Sequence, residues 1–291
     1  MNDVPALFFE GVVSLISKTT LPAGRNLSGL PGHVASDAYA KRFINYMWLR
    51  NGRLEEKSYL NRENELIDTE TPSRRNLYYT VVHILADNAY NTDPEALERL
   101  LSATKGKHVL LSLQTSNISE EISKCVESIR FVFDLRLYTK ITSKVLKMLR
   151  SLVGKNTLNQ TLIGDDVEIK EETAQLLVEL LKQKQFHKMY FPAKCSAALK
   201  TIIASWKENS GEMVGKIVYC AEKFSELQLP STEFPFHQCT AEEEREAEVA
   251  CFSAGFWPYI TKKSMLRNQD GSAVYCFSSS SLKFKSEIVF V

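Results

Sequence analysis

The sequence predicts an α/β fold organised on a mostly parallel sheet, and three observations carry that expectation. Between residues 107 and 221, β-prone runs centred near Leu111, Val132, Leu162, Met189 and Val218 alternate with stretches of helical spacing. A strand, a crossover helix and a second strand in that length make a βαβ unit, which pairs its strands in parallel. The later strands recur about every 26 to 30 residues, within or just above the period of leucine-rich-repeat-like units. Outside this array, Asn51-Gly52 lies between two β-prone runs. That dipeptide suits a type I′ hairpin turn, because both central residues need positive φ. The expected architecture is leucine-rich-repeat-like βα units forming a mostly parallel sheet. A helical segment stands at the N-terminus and antiparallel β elements at both ends. An ordinary open α/β sheet gives the same alternation without a solenoid.

In chain order, Asp3 can cap a first helix, with Pro5 tolerated in its first turn. Phe8, Phe9, Val12, Val13, Leu15 and Ile16 make much of this helix apolar, and Gly11 weakens it. Pro22, Gly24, Gly29, Pro31 and Gly32 then interrupt the chain, which predicts short helical pieces and turns over 21–33. A short helix follows at 36–42, then the hairpin strands 43–50 and 53–60. Residues 62–75 are polar, contain Pro72 and read as a loop. Residues 76–85 suit a third strand, although Tyr78, Val81, Val82 and Leu85 also match helical spacing. Asp93-Pro94 starts a helix through Leu101.

The array begins near Lys107, with strands expected at 108–113 and 129–135 and helices at 119–126 and 139–153. In the helix at 170–185, Ala174, Leu177, Val178 and Leu181 form one apolar face. Glu171 and Glu172 in its first turn and Lys182 and Lys184 in its last suit the helix dipole. Asp165 or Asp166 is a candidate cap for the turn before it. In the helix at 196–208, Leu199, Ile202, Ile203 and Trp206 form the buried stripe, Ser196 is a candidate N-cap, and Asn209-Ser210-Gly211 stops the helix. Beyond Phe224 the pattern changes. Pro230 and Pro235 bracket a short extended piece, 241–253 reads as a helix with an acidic first turn, and 259–266 and 272–278 form a hairpin around Asp270-Gly271. A last strand at 288–291 completes a β-rich cap, which would cover the exposed end of a repeat array.

The N-terminal phrase Val4-Pro5-x-x-Phe8-Phe9-x-x-Val12-Val13-x-x-Ile16, followed by Leu21, resembles the start of an F-box. The whole chain is similar to the large nematode family of F-box-like proteins. The matching phrases are Leu27-Ser28-Gly29, repeat-like βα units ending in the Gln185-Phe186 segment, the Trp206-Lys207 helix end and the β-rich C-terminus. Where a typical F-box carries a Val-Cys and a basic-x-Trp pattern, this chain has Leu30-Pro31-Gly32-His33-Val34. The resemblance implies a substrate-recognition adaptor of a Skp-cullin-F-box-type ubiquitin ligase. Its partners would be a Skp-type adaptor, the cullin ligase and a protein target that the sequence does not name. It further implies that Pro5, Phe8, Phe9, Val12, Leu15 and Ile16 bind the adaptor. The corresponding organisation is an F-box-like helical segment at 1–34, a hairpin and helix connecting region at 35–106, the repeat-like region at 107–230 and the β-rich cap at 231–291. A protein-interaction scaffold with no ligase association is the alternative.

Composition narrows the function classes. Hydrophobic residues make up 44% of 291, enough for a sizeable core. The net charge of +1 lacks the basic excess of a dedicated nucleic-acid binder. No apolar run approaches the roughly 20 residues of a membrane span, and the N-terminus lacks a secretory pattern. The expected location is therefore cytoplasmic, or also nuclear. The six cysteines form no C-x-x-C and read as free buried thiols. No phosphate-binding loop, dinucleotide fingerprint or nucleophile elbow occurs. Gly164-Asp165-Asp166 reads as a turn and cap, and His33, His83, His108, His187 and His237 are too dispersed for a metal pair. His187 and Cys195 cannot be read as a dyad from their separation alone, and Lys182, Lys184 and Lys188 read as a solvated helix end. The sequence thus predicts no catalytic residue, cofactor or metal.

Overall fold

A computed structural model describes residues 21–41, 43–60, 77–85, 92–164, 167–191, 195–227, 229–253, 260–279 and 286–291. The N-terminal helix expected at 3–16, the loop at 62–75 and the Asp165 or Asp166 cap lie outside the described residues. A helical turn at Leu21–Gly24 precedes helix α1 (Leu30–Lys41). Gly32 sits in the first turn of α1, and a Cβ there would lie 1.8 Å from the Leu27 carbonyl oxygen, so the chain entering this helix requires glycine.

Strands β1 (Phe43–Arg50) and β2 (Arg53–Leu60) form the expected antiparallel hairpin. Asn51 has φ of 49° and Gly52 of 75°, the two positive values of a type I′ turn. Strand β3 (Leu77–Leu85) then lies parallel to β1 and takes β4 (Val109–Leu113) on its other side, so pairing on both flanks overrides the helical spacing of its apolar residues. Helix α2 (Pro94–Thr104) connects them, and its cap Asp93 accepts a hydrogen bond from the Glu95 N–H at 3.0 Å.

Helix α3 (Glu120–Ser128), capped by Ser119, leads to β5 (Val132–Leu137). This strand starts later than expected because the Ile129 N–H is used in closing α3, donating to the Val126 carbonyl. Helix α4 (Ser143–Gly154) is capped by Thr142 and followed by β6 (Gln160–Ile163). Helix α5 (Glu171–Lys182), β7 (Lys188–Phe191), α6 (Ser196–Glu208) and β8 (Ile217–Cys220) complete the alternation. The cap of α6 is Cys195 rather than Ser196. The Cys195 N–H donates to a Glu222 carboxylate oxygen at 2.8 Å, so a residue from the next unit satisfies this helix start. The piece between Pro230 and Pro235 is a turn, not extended: the N–H groups of Glu233 and Phe234 both bond back to the Pro230 carbonyl. Strand β9 (His237–Gln238), helix α7 (Ala241–Ser253), β10 (Ile260–Arg267), β11 (Ala273–Ser279) and β12 (Ser286–Phe290) follow.

The twelve described strands form one sheet in the order β2-β1-β3-β4-β5-β6-β7-β8-β12-β11-β10-β9. Pairing is parallel from β1 through β3 to β8 and antiparallel beyond each end, so the parallel part begins earlier than Lys107. From β3 to β8 strand order follows chain order, so every crossover advances the same way. With one crossover handedness, all the connecting helices fall on one face. Helices α2 to α6 accordingly touch one another in succession. A doubly wound sheet needs a reversal of strand order, and this segment has none.

The main core lies between that helix layer and the sheet. Leu111, Leu113, Leu135, Met189, Phe191 and Val218 from the strands meet Leu149, Leu177, Leu181, Ile203 and Trp206 from the helices. Trp206 is fully buried, with its ring 6.3 Å from that of Phe290. Successive units are also stitched together at their helix ends. Lys155 donates from Nζ to the carbonyls of Glu127 and Ile129, Gln183 from Nε2 to that of Val153, and Lys216 from Nζ to those of Gln183, Lys184 and Phe186. Each reaches back 26 to 33 residues to carbonyls at or just beyond the end of the preceding helix, of which those of Val153 and Gln183 also accept a backbone N–H. Burial lowers the pKa values of Lys155 and Lys216, so these two ammonium groups are placed at a cost that the carbonyl bonds offset.

Candidate functional site

Strand residues alternate between faces, so the positions between the core residues point away from the helix layer. On that opposite face a single cross-strand row runs through Trp48, His83, Ser112, Arg136, Leu162, Tyr190, Tyr219 and Glu287. The neighbouring row runs through Tyr46, Val81, Leu110, Asp134, Gln160, Lys188 and Ile217. Parallel pairing sets both rows, because the regular register of β3 to β8 brings equivalent positions of successive units side by side.

Rings dominate this face. Tyr46 and Trp48 stack at 5.9 Å, and Trp48 lies 5.8 Å from the His83 ring with the planes 10° apart. Tyr190 and Tyr219 stack at 4.6 Å and 7°. Tyr46, Trp48, His83 and Tyr190 are half-buried. Between the two stacks stands an ion pair. The Asp134 side chain is 3% exposed and accepts from Arg136 Nε at 3.4 Å and Nη2 at 3.1 Å, while Gln160 Nε2 donates to the same oxygen at 2.8 Å. A buried carboxylate has to be paired and hydrogen-bonded in this way. Burial opposes the charge on Arg136, but the Asp134 carboxylate and its hydrogen bonds outweigh that and hold the guanidinium above its ordinary pKa.

A recess of about 280 Å³ opens beside this pair, lined by His83, Ser112, Gln114, Arg136 and Tyr138. Burial, and then the charge of Arg136, hold the His83 imidazole below its ordinary pKa, so the ring is neutral at neutral pH. Gly164 closes the neighbouring strand end. A Cβ there would lie 2.8 Å from both the Leu137 carbonyl oxygen and Tyr138 Cδ1, so its lack of a side chain lets the two strand ends approach beside Tyr138.

At the C-terminal end α7 lies over the same face. Its Ala247 packs with Ile217, Tyr219, Met265, Tyr275, Phe277 and Val289. Lys263 bonds Glu248 at 2.7 Å and approaches Glu244 at 3.5 Å, and Arg267 holds Glu246 at 2.9 Å. The face thus carries half-buried rings and an ion pair toward β1, and glutamates paired with Lys263 and Arg267 toward β10.

The expected adaptor-binding residues Pro5, Phe8, Phe9, Val12, Leu15 and Ile16 lie outside the described residues. Just after them, Leu27 and Leu30 are 59% and 42% exposed. Lys182 pairs with Glu212 at 3.2 Å, Lys184 is exposed, and Lys188 is half-buried on β7. His187 is exposed and Cys195 buried. Among the described residues, no three His, Cys, Asp or Glu side chains are arranged to hold a metal ion, and no helix is long and apolar enough to cross a membrane. Sequence reading missed the opposite face, although β5 signalled it. Val132-Phe133-Asp134-Leu135-Arg136-Leu137 alternates charged with apolar residues, whereas a parallel strand covered on both faces is apolar throughout. No protein-family model, curated protein or solved structure matches the chain.

Proposed function

We propose that the chain is a binding protein rather than an enzyme, and that it serves as the substrate-recognition adaptor of a Skp-cullin-F-box-type ubiquitin ligase. The observation that supports a binding role is the row of half-buried rings flanking the Arg136–Asp134 pair. Trp, Tyr and Arg are the side chains that dominate protein interfaces, because they combine large apolar area with directed polar groups. Here they stand on a sheet braced from behind by a packed helix layer, so little ordering is lost when a partner docks.

In this role the chain makes and breaks no bond. It holds a target protein on the opposite face and so raises the target's effective concentration at the ligase. The ligase half of the reading rests on the N-terminal resemblance. Phe8, Val12, Leu15 and Ile16 recur at spacings of three or four and would form an apolar docking face, with Pro5 fixing the entry of the chain. The exposed Leu27 and Leu30 nearby support an apolar contact at this end.

Co-purification from a cell extract tests the assignment. Peptides of a Skp-type adaptor and a cullin are expected with the wild-type chain and lost with Phe8→Ala/Val12→Asp, while the domain stays folded. A wild-type chain that binds no such adaptor at micromolar concentration rejects the ligase role. Stable capture of another partner in its place selects the scaffold reading, which the opposite face supports by itself.

A further inference from the structure

We propose that the recess lined by His83, Ser112, Gln114, Arg136 and Tyr138 receives one acidic side chain of the protein partner, with Trp48 and Tyr46 gripping the apolar residues beside it. This rests on the reading of the opposite face as the partner surface and names the chemistry that surface selects. Size is the first argument. At about 280 Å³ the recess lies just below the range of about 300–1,000 Å³ that encloses small-molecule ligands. It suits a single side chain presented by a larger body.

Charge is the second argument. Among the described residues, the lining carries one permanent cation and no carboxylate. Asp134, the nearest anion on the sheet, belongs to the neighbouring row and is already engaged by Arg136 and Gln160. That engagement uses only Nε and Nη2 of the guanidinium, whose side chain is 40% exposed. Asp134 therefore orients the fork and leaves further N–H donors for an incoming carboxylate, the geometry in which arginine binds most strongly. Ser112 and Tyr138 add hydroxyls, and Gln114 Nε2 already reaches Ser112 Oγ at 3.4 Å. His83, neutral beside Arg136, adds no second charge.

The far end of the face limits the partner to a local acid. Helix α7 carries Glu242, Glu243, Glu244, Glu246 and Glu248 against the cations Arg245, Lys263 and Arg267, and this excess of carboxylates disfavours a uniformly acidic tract crossing the sheet. A carboxylate next to apolar or aromatic residues satisfies both ends.

The test pans the full chain against a random twelve-residue peptide library displayed on phage. Enriched peptides are expected to share an Asp or Glu beside an aromatic or aliphatic residue. Changing that acid to its amide should weaken binding about tenfold or more. In Asp134→Asn/Arg136→Met, which removes the cation without stranding a buried carboxylate, the same amide change should have no further effect. Peptides without an acid, or an acid whose amidation costs the same in both chains, overturn the proposal. Trp48→Ala separates the two levels of inference. If it abolishes binding that the Asp134→Asn/Arg136→Met pair leaves intact, the face is the interface and the acid pocket is wrong. If neither substitution matters, or no peptide is enriched, the partner surface itself is refuted.

Discussion

The two faces of the sheet are built from the same strands and differ in almost every other respect. Toward the helix layer, Leu111, Leu113, Leu135, Met189 and Val218 are buried aliphatic side chains in one continuous cluster. Toward the other side, the intervening positions carry Trp48, His83, Arg136 and Tyr190, half-buried, with a charge pair at the centre. The first face pays the entropy of folding through area removed from water. The second buries a smaller apolar cluster at Ile44, Val81 and Leu110 and leaves its rings half-exposed. The difference teaches where stability and binding should separate when single residues are changed.

Trp206→Ala should test the first face most severely. The indole is fully buried against Phe290, and its removal should cost about 3–5 kcal/mol by equilibrium denaturation. Leu177→Ala on α5 should cost about 2–5 kcal/mol, and an unchanged denaturation midpoint would mean that α5 faces water. Arg136→Met should cost about 1–3 kcal/mol, less than a fully buried pair because Arg136 is partly exposed, and Asp134→Asn in the same chain should restore part of the loss. Trp48→Ala should cost about 1–3 kcal/mol, from its ring contacts and half-buried area, while removing partner binding; equal losses at Trp48 and Trp206 would erase the contrast between the faces.

The smallest effect is in pH. Burial and the Arg136 charge hold His83 below the ordinary imidazole value, and at the more exposed His187 partial desolvation and the charges of Lys216 and Lys188 act in the same direction. Below about pH 6.5 the unfolded chain binds protons that the folded chain refuses, so stability is fully present above that pH and falls as pH drops through it. His83→Gln should flatten the slope of denaturation midpoint against pH between about 6.5 and 5, before carboxylates begin to titrate.

Much of the fold was legible because it rests on local signals. Asn51-Gly52 specified its turn, Asp93-Pro94 its helix start, and the spacing of Leu177, Leu181, Ile203 and Trp206 the buried stripes. Two expectations failed for different reasons: the distant Glu222 receives the N–H at the start of α6, and the nearby Pro230 carbonyl gathers two N–H groups into a turn that the two prolines did not signal. The candidate site was less legible for a related reason. Its rows are made by side-by-side positions on successive strands, each some 25 residues or more from the next, and neither Arg136 nor His83 has a neighbour in sequence that marks it. Only the alternation within β5 pointed there, and it shows which face a residue takes without showing what stands beside it.

The backward reach of Lys155, Gln183 and Lys216 gives the array a direction in time. A chain leaving the ribosome exposes its N-terminal units first. The helix ending near Glu127 emerges before Lys155, the one ending near Val153 before Gln183, and the one ending near Gln183 before Lys216. Each newborn unit therefore waits without these side-chain bonds until the unit that supplies them arrives. A translation pause after Gln183 and before Lys216 would leave the end of α5 without the Lys216 ammonium, and release of the next thirty or so residues would add it.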